Sequence, residues 1–76
     1  MVKYHIRVNH GDDDKTVQYH FVHKDWATIS QEDSDVAFND AVTELNRIYK
    51  TYGRFATQVG VLRLFDSFGF ERTTKD

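Results

Sequence analysis

The chain has 76 residues, no cysteine and a formal net charge of −2. This length suits one small domain covering residues 1–76, and the lack of cysteine excludes a disulfide framework and a thiolate zinc site. The N-terminus lacks the apolar run of a signal peptide, and no apolar run is long enough to span a bilayer, so we expect a cytoplasmic protein.

The first predicted element is a β-hairpin. Apolar and polar residues alternate over residues 2–10 and again over 16–24, as they do in strands with one buried face. The intervening segment contains a glycine and three consecutive aspartates, which are typical turn residues. Pairing Val8 with Val17 would place His5 opposite His20 on the polar face of the sheet.

A long amphipathic helix is predicted over residues 31–52. Ser30 or Ser34 can act as its N-cap, and Gly53 suits the left-handed conformation that often follows the last helical turn. At about 100° per residue, most of the apolar side chains fall in one arc. This arc contains Phe38, Ala41, Val42, Leu45, Ile48, Tyr49 and Tyr52.

The C-terminal third is predicted to be β-structure. Residues 55–65 are rich in β-branched and apolar side chains and indicate a third strand with a bulge at Gly60. Residues 68–73 form either a short fourth strand or the end of one long strand, and the tail 74–76 is expected to be disordered. The predicted fold is therefore an α+β two-layer sandwich with ββαββ order, in which the helix packs on a three- or four-stranded antiparallel sheet.

Acidic residues are concentrated in the first part of the chain. From Asp12 to Glu44 there are nine acidic residues and only two lysines, whereas the remainder of the chain is net basic. The predicted acidic surface consists of Asp12, Asp13, Asp14, Asp33, Asp40 and Glu44. The same charges also have a structural explanation, because acids favour helix N-termini and solvated loops, and Glu44 can pair with Arg47.

Motifs for catalysis or metal binding are absent from the sequence. There is no nucleophile elbow, no phosphate-binding glycine loop and no cysteine nucleophile. His5 and His20 would lie close enough to share a metal ion, but no carboxylates complete a ligand set on that face. We therefore predict that the protein is not an enzyme and that it uses no metal and no cofactor.

Aromatic residues in the C-terminal third exceed what one helix face can cover. Aromatic side chains beside arginines are the usual composition of a protein interface. The predicted partner-binding residues are Trp26, Arg63, Phe65, Phe68, Phe70 and Arg72. The strand predicted at 68–73 also offers an edge that could pair with a second copy or with a partner sheet.

Two functional hypotheses follow from these features. The first is a non-enzymatic protein–protein interaction module, a small regulator or inhibitor of a partner protein, of the kind found among bacterial and phage accessory proteins, and able to form a homodimer. The alternative is a nucleic-acid-binding domain, in which Arg7, Arg63 and Arg72 contact phosphates beside stacking rings on the open sheet face. The net charge favours the first hypothesis, because a charge of −2 is weak support for binding a phosphate backbone.

Overall fold

Three antiparallel strands and two helices form an α+β fold in the computed structural model, which describes residues 2–9 and 16–73. The elements in chain order are β1 (Tyr4–Asn9), β2 (Thr16–His23), α1 (Gln31–Tyr52), α2 (Arg54–Ser67) and β3 (Phe70–Thr73). The strand order in the sheet is β1-β2-β3, so β2 is central and the other two strands are edges.

The two N-terminal strands pair as their alternating patterns predict. β1 and β2 are antiparallel, with Val8 opposite Val17 and His5 opposite His20, which confirms the predicted register. Tyr19 and other residues on the inner face are buried, because alternate side chains of a strand point to the same side of the sheet. The predicted turn at residues 10–15 lies outside the described residues.

Helix α1 has the predicted boundaries. The side chain of Ser30 accepts a hydrogen bond from the backbone N–H of Asp33 at 3.1 Å, so this serine is the N-cap. Gly53 has a φ of +91°, and its N–H donates to the carbonyl of Tyr49 at 2.9 Å, which closes the last turn. The predicted apolar arc is too wide at its C-terminal end, because Tyr49 and Tyr52 are both exposed.

The strand predicted over residues 55–65 is wrong, because this segment belongs to α2. The buried residues Thr57, Val61 and Phe65 recur every four positions, which is the spacing of one helix face. Other apolar side chains lie on a different side of the same helix and obscure this periodicity in the sequence. Gly60 is therefore an interior helical residue and does not form a bulge.

The predicted ββαββ order is likewise corrected to ββααβ. The last predicted strand is present at β3, which pairs antiparallel with β2, and the sheet therefore has three strands. Gly69 precedes this strand with a φ of +92°, a conformation that a residue with a Cβ adopts only with strain. The predicted disordered tail, 74–76, lies outside the described residues.

The hydrophobic core joins the inner face of the sheet to both helices. The Phe65 ring of α2 stacks on Phe21 of β2 with centroids 4.5 Å apart, and Tyr4 of β1 stacks on Phe38 of α1 at 4.3 Å. The ring of Phe70 in β3 contacts Phe38 edge-on at 5.7 Å. Buried hydrophobic residues of this core are Val8, Tyr19, Phe21, Ala41, Leu45, Val61, Phe65 and Phe70.

Candidate functional site

The predicted partner-binding residues divide into buried and exposed groups. Phe65 and Phe70 have no exposed surface, so neither ring is available to a partner in this fold, and we correct the prediction for both. They are buried because they complete the core between the sheet and the helices. Phe68 is half-buried against the same core, whereas Trp26 and Arg63 are exposed.

The arginines proposed for nucleic-acid binding do not share one surface. Arg7 lies on the outer face of β1, and Arg63 lies on α2. Arg72 of β3 pairs with Phe21 of β2, so it lies on the inner face of the sheet. The guanidinium of Arg72 already lies over the ring of Tyr19, 4.8 Å from its centroid. The outer sheet face, as far as residues 2–9 and 16–73 show it, carries no phenylalanine, tyrosine or tryptophan.

His5 and His20 form a close pair on the outer sheet face. Their rings stack with centroids 4.7 Å apart and an interplanar angle of 22°. Nε2 of His5 is 2.9 Å from Oε1 of Gln18, so this nitrogen already has a hydrogen-bond partner. Among the described residues, no group of three or more histidine, aspartate or glutamate side chains is placed to hold a metal ion.

The acidic side chains of α1 mostly have local structural roles. Asp33 lies in the first turn, where a negative charge is favourable, and Asp40 is exposed. Arg47 donates from Nε to both carboxylate oxygens of Glu44 at 3.1 Å, which confirms the predicted pairing. Hydrogen bonding to Arg47 also holds the pKa of Glu44 below its ordinary value. The remaining predicted acidic residues, Asp12, Asp13 and Asp14, lie outside the described residues.

A polar cluster joins β1 to the first turns of α1. The hydroxyl of Tyr4 donates to Oδ1 of Asp35 at 2.6 Å and lies 2.9 Å from Oγ of Ser34. Gln31 donates to Asp35 at 2.7 Å and to the Tyr4 oxygen at 3.2 Å. Burial and the bond to Asp35 raise the pKa of Tyr4 above its ordinary value of 10.0. These contacts tie a strand to a helix, and we assign the cluster a structural role.

A cavity of about 220 Å³ lies where β1 meets the two helices. It is smaller than the 300–1,000 Å³ of most ligand pockets. The lining residues are Arg7, Val8, Asn9, Leu45, Asn46, Tyr49 and Thr57. This composition provides no nucleophile beside a base, so the cavity offers no arrangement for acid–base or nucleophilic catalysis.

A row of apolar side chains is exposed on α2, and we call it the outer stripe. It consists of Phe55, Val59 and Leu62, which are 77%, 68% and 43% exposed. They follow one another at intervals of four and three residues and therefore share one side of the helix. Sequence reasoning missed the stripe because it took this segment for a strand, although the same spacing was visible in the sequence.

Comparisons with known proteins do not identify the chain. No protein-family model, no curated protein and no solved structure matches it. Within the described part of the chain, no helix combines the length and the hydropathy needed to cross a membrane. The outer stripe is therefore the surface from which we infer a function.

Proposed function

We propose that this protein is a non-enzymatic protein–protein interaction module whose contact surface is the outer stripe of α2. The observation that carries this proposal is the exposure of Phe55, Val59 and Leu62 on a helix whose inner face is already committed to the core. Scattered exposed apolar residues are normal on a protein surface, but a contiguous row marks an interaction site. Phe55 supplies the large aromatic anchor that often dominates binding energy at such sites.

The surroundings of the stripe fit a protein partner better than a nucleic acid. Arg63 follows Leu62 directly and is exposed, which gives the apolar row a charged rim, as in many protein interfaces. Tyr52, at the end of α1, is 73% exposed and adds an aromatic ring close in sequence to the stripe. A nucleic-acid site would instead need clustered cations, and Arg7, Arg63 and Arg72 lie on three different elements.

The biological role we propose is that of a small cytoplasmic regulator or inhibitor, such as a bacterial or phage accessory protein. Support for this part comes from the size of the chain and from the presentation of a helix face, which is a common way to occupy a groove on another protein. The proposal requires no metal, no cofactor and no catalytic group on this chain.

The test is affinity capture from a bacterial lysate with two matched variants, run with and without nuclease. Val59→Glu places a charge in the outer stripe, and Val36→Glu makes the same change at a valine of α1 that is 55% exposed and outside the stripe. We expect the wild type and Val36→Glu to retain the same protein and Val59→Glu to lose it, regardless of nuclease.

Two outcomes of this experiment would contradict the proposal. If Val59→Glu retains the partner as well as Val36→Glu does, then the outer stripe is not the contact surface. If the bound material disappears on nuclease treatment, then the nucleic-acid hypothesis replaces the proposed function. Circular dichroism of both variants excludes misfolding as the cause of a lost partner.

A further inference from the structure

We infer that the cavity where β1 meets α1 and α2 binds a small organic monocarboxylate. The carboxylate of the ligand binds the guanidinium of Arg7, and its short apolar part lies against Val8 and Leu45. The lining residues of the cavity come from all three elements. A ligand at this position therefore contacts the sheet and both helices.

The cavity has an apolar base and a polar mouth. Val8 and Leu45 are buried core residues and form the base. Arg7, Asn46 and Tyr49 are exposed, so they lie at the mouth, where a ligand enters from solvent. Apolar walls with a few placed polar groups are the usual composition of a small-molecule site. The volume of about 220 Å³ limits the ligand to a short chain beyond its charged group.

The polar side chains at the mouth have hydrogen-bond donors to offer a ligand. Within the described part of the chain, the side chains of Arg7 and Asn46 take part in no hydrogen bond and no ion pair. The hydroxyl of Tyr49 accepts a hydrogen bond from Nε of Arg54 at 3.4 Å, so its own proton can still be donated. Because β1 is an edge strand, the long Arg7 side chain can reach the cavity round the free edge of the sheet.

The charge at the cavity is positive. Among the described residues that line it, none is acidic and Arg7 is cationic. Arg54 already has contacts within the chain, yet it adds a second guanidinium beside Tyr49. Glu44, one residue before the lining segment of α1, is paired with Arg47. A cleft lined by charges of one sign concentrates ions of the opposite sign, so this cavity attracts anions.

The single lining guanidinium favours a carboxylate over a phosphate. The planar fork of an arginine can donate two parallel hydrogen bonds to one carboxylate. Arg7 balances the charge of a monocarboxylate, whereas a phosphate near neutral pH would keep excess charge beside an apolar surface, which is unfavourable. The apolar base also adds affinity only for a ligand that carries carbon atoms. Together these features select a short-chain monocarboxylate.

Titration with sodium butyrate at constant ionic strength, followed by NMR of the backbone amides, tests the site. Butyramide is the matched neutral probe, because it has the same chain with an amide in place of the carboxylate. We expect butyrate to bind with a Kd of about 1–10 mM, since so small a ligand makes few contacts. Its addition should saturably shift the signals of Val8, Leu45, Asn46 and Thr57, which line the cavity, and butyramide should leave them unchanged.

Two arginine variants separate this site from a general attraction of anions to the protein surface. Arg7→Gln removes the charge at the cavity and should weaken butyrate binding about tenfold. Arg63→Gln makes the same change at an exposed arginine of α2 that does not line the cavity, so it should leave the affinity unchanged. Tyr49→Phe keeps the ring, removes the hydroxyl and should weaken binding about threefold. Circular dichroism confirms that each variant is folded.

Four results would overturn the inference. The first is a wild type with no saturable shifts at the lining residues, and the second is butyramide binding as well as butyrate does. An equal loss of affinity in Arg7→Gln and Arg63→Gln would show binding to surface charge in general. Inorganic phosphate that binds as tightly as butyrate would show that the apolar base contributes nothing. The outer stripe lies on the other side of α2 from Thr57, so none of these results changes the standing of the proposed function.

Discussion

The two helices are joined through a single glycine, yet their sequences specify them in different ways. α1 has a serine N-cap at Ser30, acidic residues in its first turn, Lys50 in its last turn and apolar residues mainly on one side. α2 begins at Arg54 without a side-chain cap, carries Asp66 in its last turn and has apolar residues on two sides. Local signals therefore define α1, whereas α2 depends on the contacts it makes.

Helix α2 packs against the rest of the described chain mainly through one face. Its inner face provides Val61 and Phe65 to the core, and Thr57 donates through Oγ1 to the carbonyl of Gly53 at 3.0 Å. Its outer stripe has no comparable contacts within the described chain. A helix that is apolar on both sides usually lies between two layers, and we propose that a partner protein supplies the second layer here.

Of the substitutions that compare the two faces of α2, Phe65→Ala should have the largest effect on stability. Removing this fully buried ring leaves a cavity in the core, and we expect the free energy of unfolding to fall by about 3–5 kcal/mol. Phe55→Ala is the matched control on the outer stripe and should change monomer stability by less than about 0.5 kcal/mol. Denaturant unfolding at low protein concentration measures both, and equal losses would show that the two faces have been assigned wrongly.

A pair of glycine substitutions sharpens the assignment of residues 54–67 to a helix. Gly69→Ala should destabilise the fold by about 1–3 kcal/mol, because the residue has positive φ. The new Cβ would also lie only 2.9 Å from Nε2 of His23. Gly60→Ala should stabilise it by about 0.5–1 kcal/mol, because alanine favours helix and its Cβ meets no atom within 4 Å. Thermal unfolding distinguishes the two signs, and a destabilising Gly60→Ala would contradict a helix at this position.

The local definition of α1 is tested at its N-cap. Ser30→Ala removes the acceptor for the Asp33 N–H and should cost about 1 kcal/mol of stability. Thr43→Ala, in the middle of the same helix, removes a hydroxyl that donates to the carbonyl of Asn39, and it should have little effect or stabilise slightly. If chemical denaturation shows no difference between these variants, the N-cap does not contribute as proposed.

The smallest expected effect concerns the contact between α1 and β1, and it appears only at alkaline pH. The pKa of Tyr4 is raised in the folded state, chiefly by burial and then by its bond to Asp35. The folded protein therefore holds the phenolic proton more tightly than the unfolded chain. This contribution to stability is complete below pH 10.0, the ordinary pKa, and is lost as pH rises through the folded-state pKa.

Comparison with Tyr4→Phe isolates this contribution. The stability difference between wild type and variant should be constant at neutral pH and should shift against the wild type above pH 10.0. Unfolding measured across a series of alkaline buffers gives this difference directly. A difference that does not change with pH would show that the Tyr4 hydroxyl does not make the described contacts with α1.

The parts of the fold that sequence reasoning predicts are those with one strong periodicity. Alternation over β1 and β2 predicts the hairpin register, and the capping residues Ser30 and Gly53 predict the boundaries of α1. The strand prediction for residues 55–65 was wrong because their β-branched side chains favour a strand. Their apolar residues have helical spacing, but they are divided between two faces of the helix, which hides the period. Packing of Val61 and Phe65 against the sheet overrides the local preference, and no local pattern reveals that.

The residues predicted for the candidate site were also placed correctly only in part. Trp26 and Arg63 are exposed, in keeping with their predicted role in partner binding, which remains a prediction. Phe65 and Phe70 were misplaced because composition counts aromatic residues without showing which of them close the core. The outer stripe begins at Phe55, in a segment whose composition favours a strand. It could have been predicted only by testing that segment for helical spacing as well.

The position of β3 in the chain has a consequence for how the protein folds in time. Partners across the β1–β2 hairpin are 7 to 17 positions apart in sequence, whereas His20 to His23 meet β3 across 47 to 53 positions. Closing the longer loop costs more chain entropy, so the hairpin can form quickly. The third strand is expected to pair with β2 only after both helices have formed. Because Phe70 enters the core with β3, we expect hydrogen-exchange protection to arise first in β1 and last in β3.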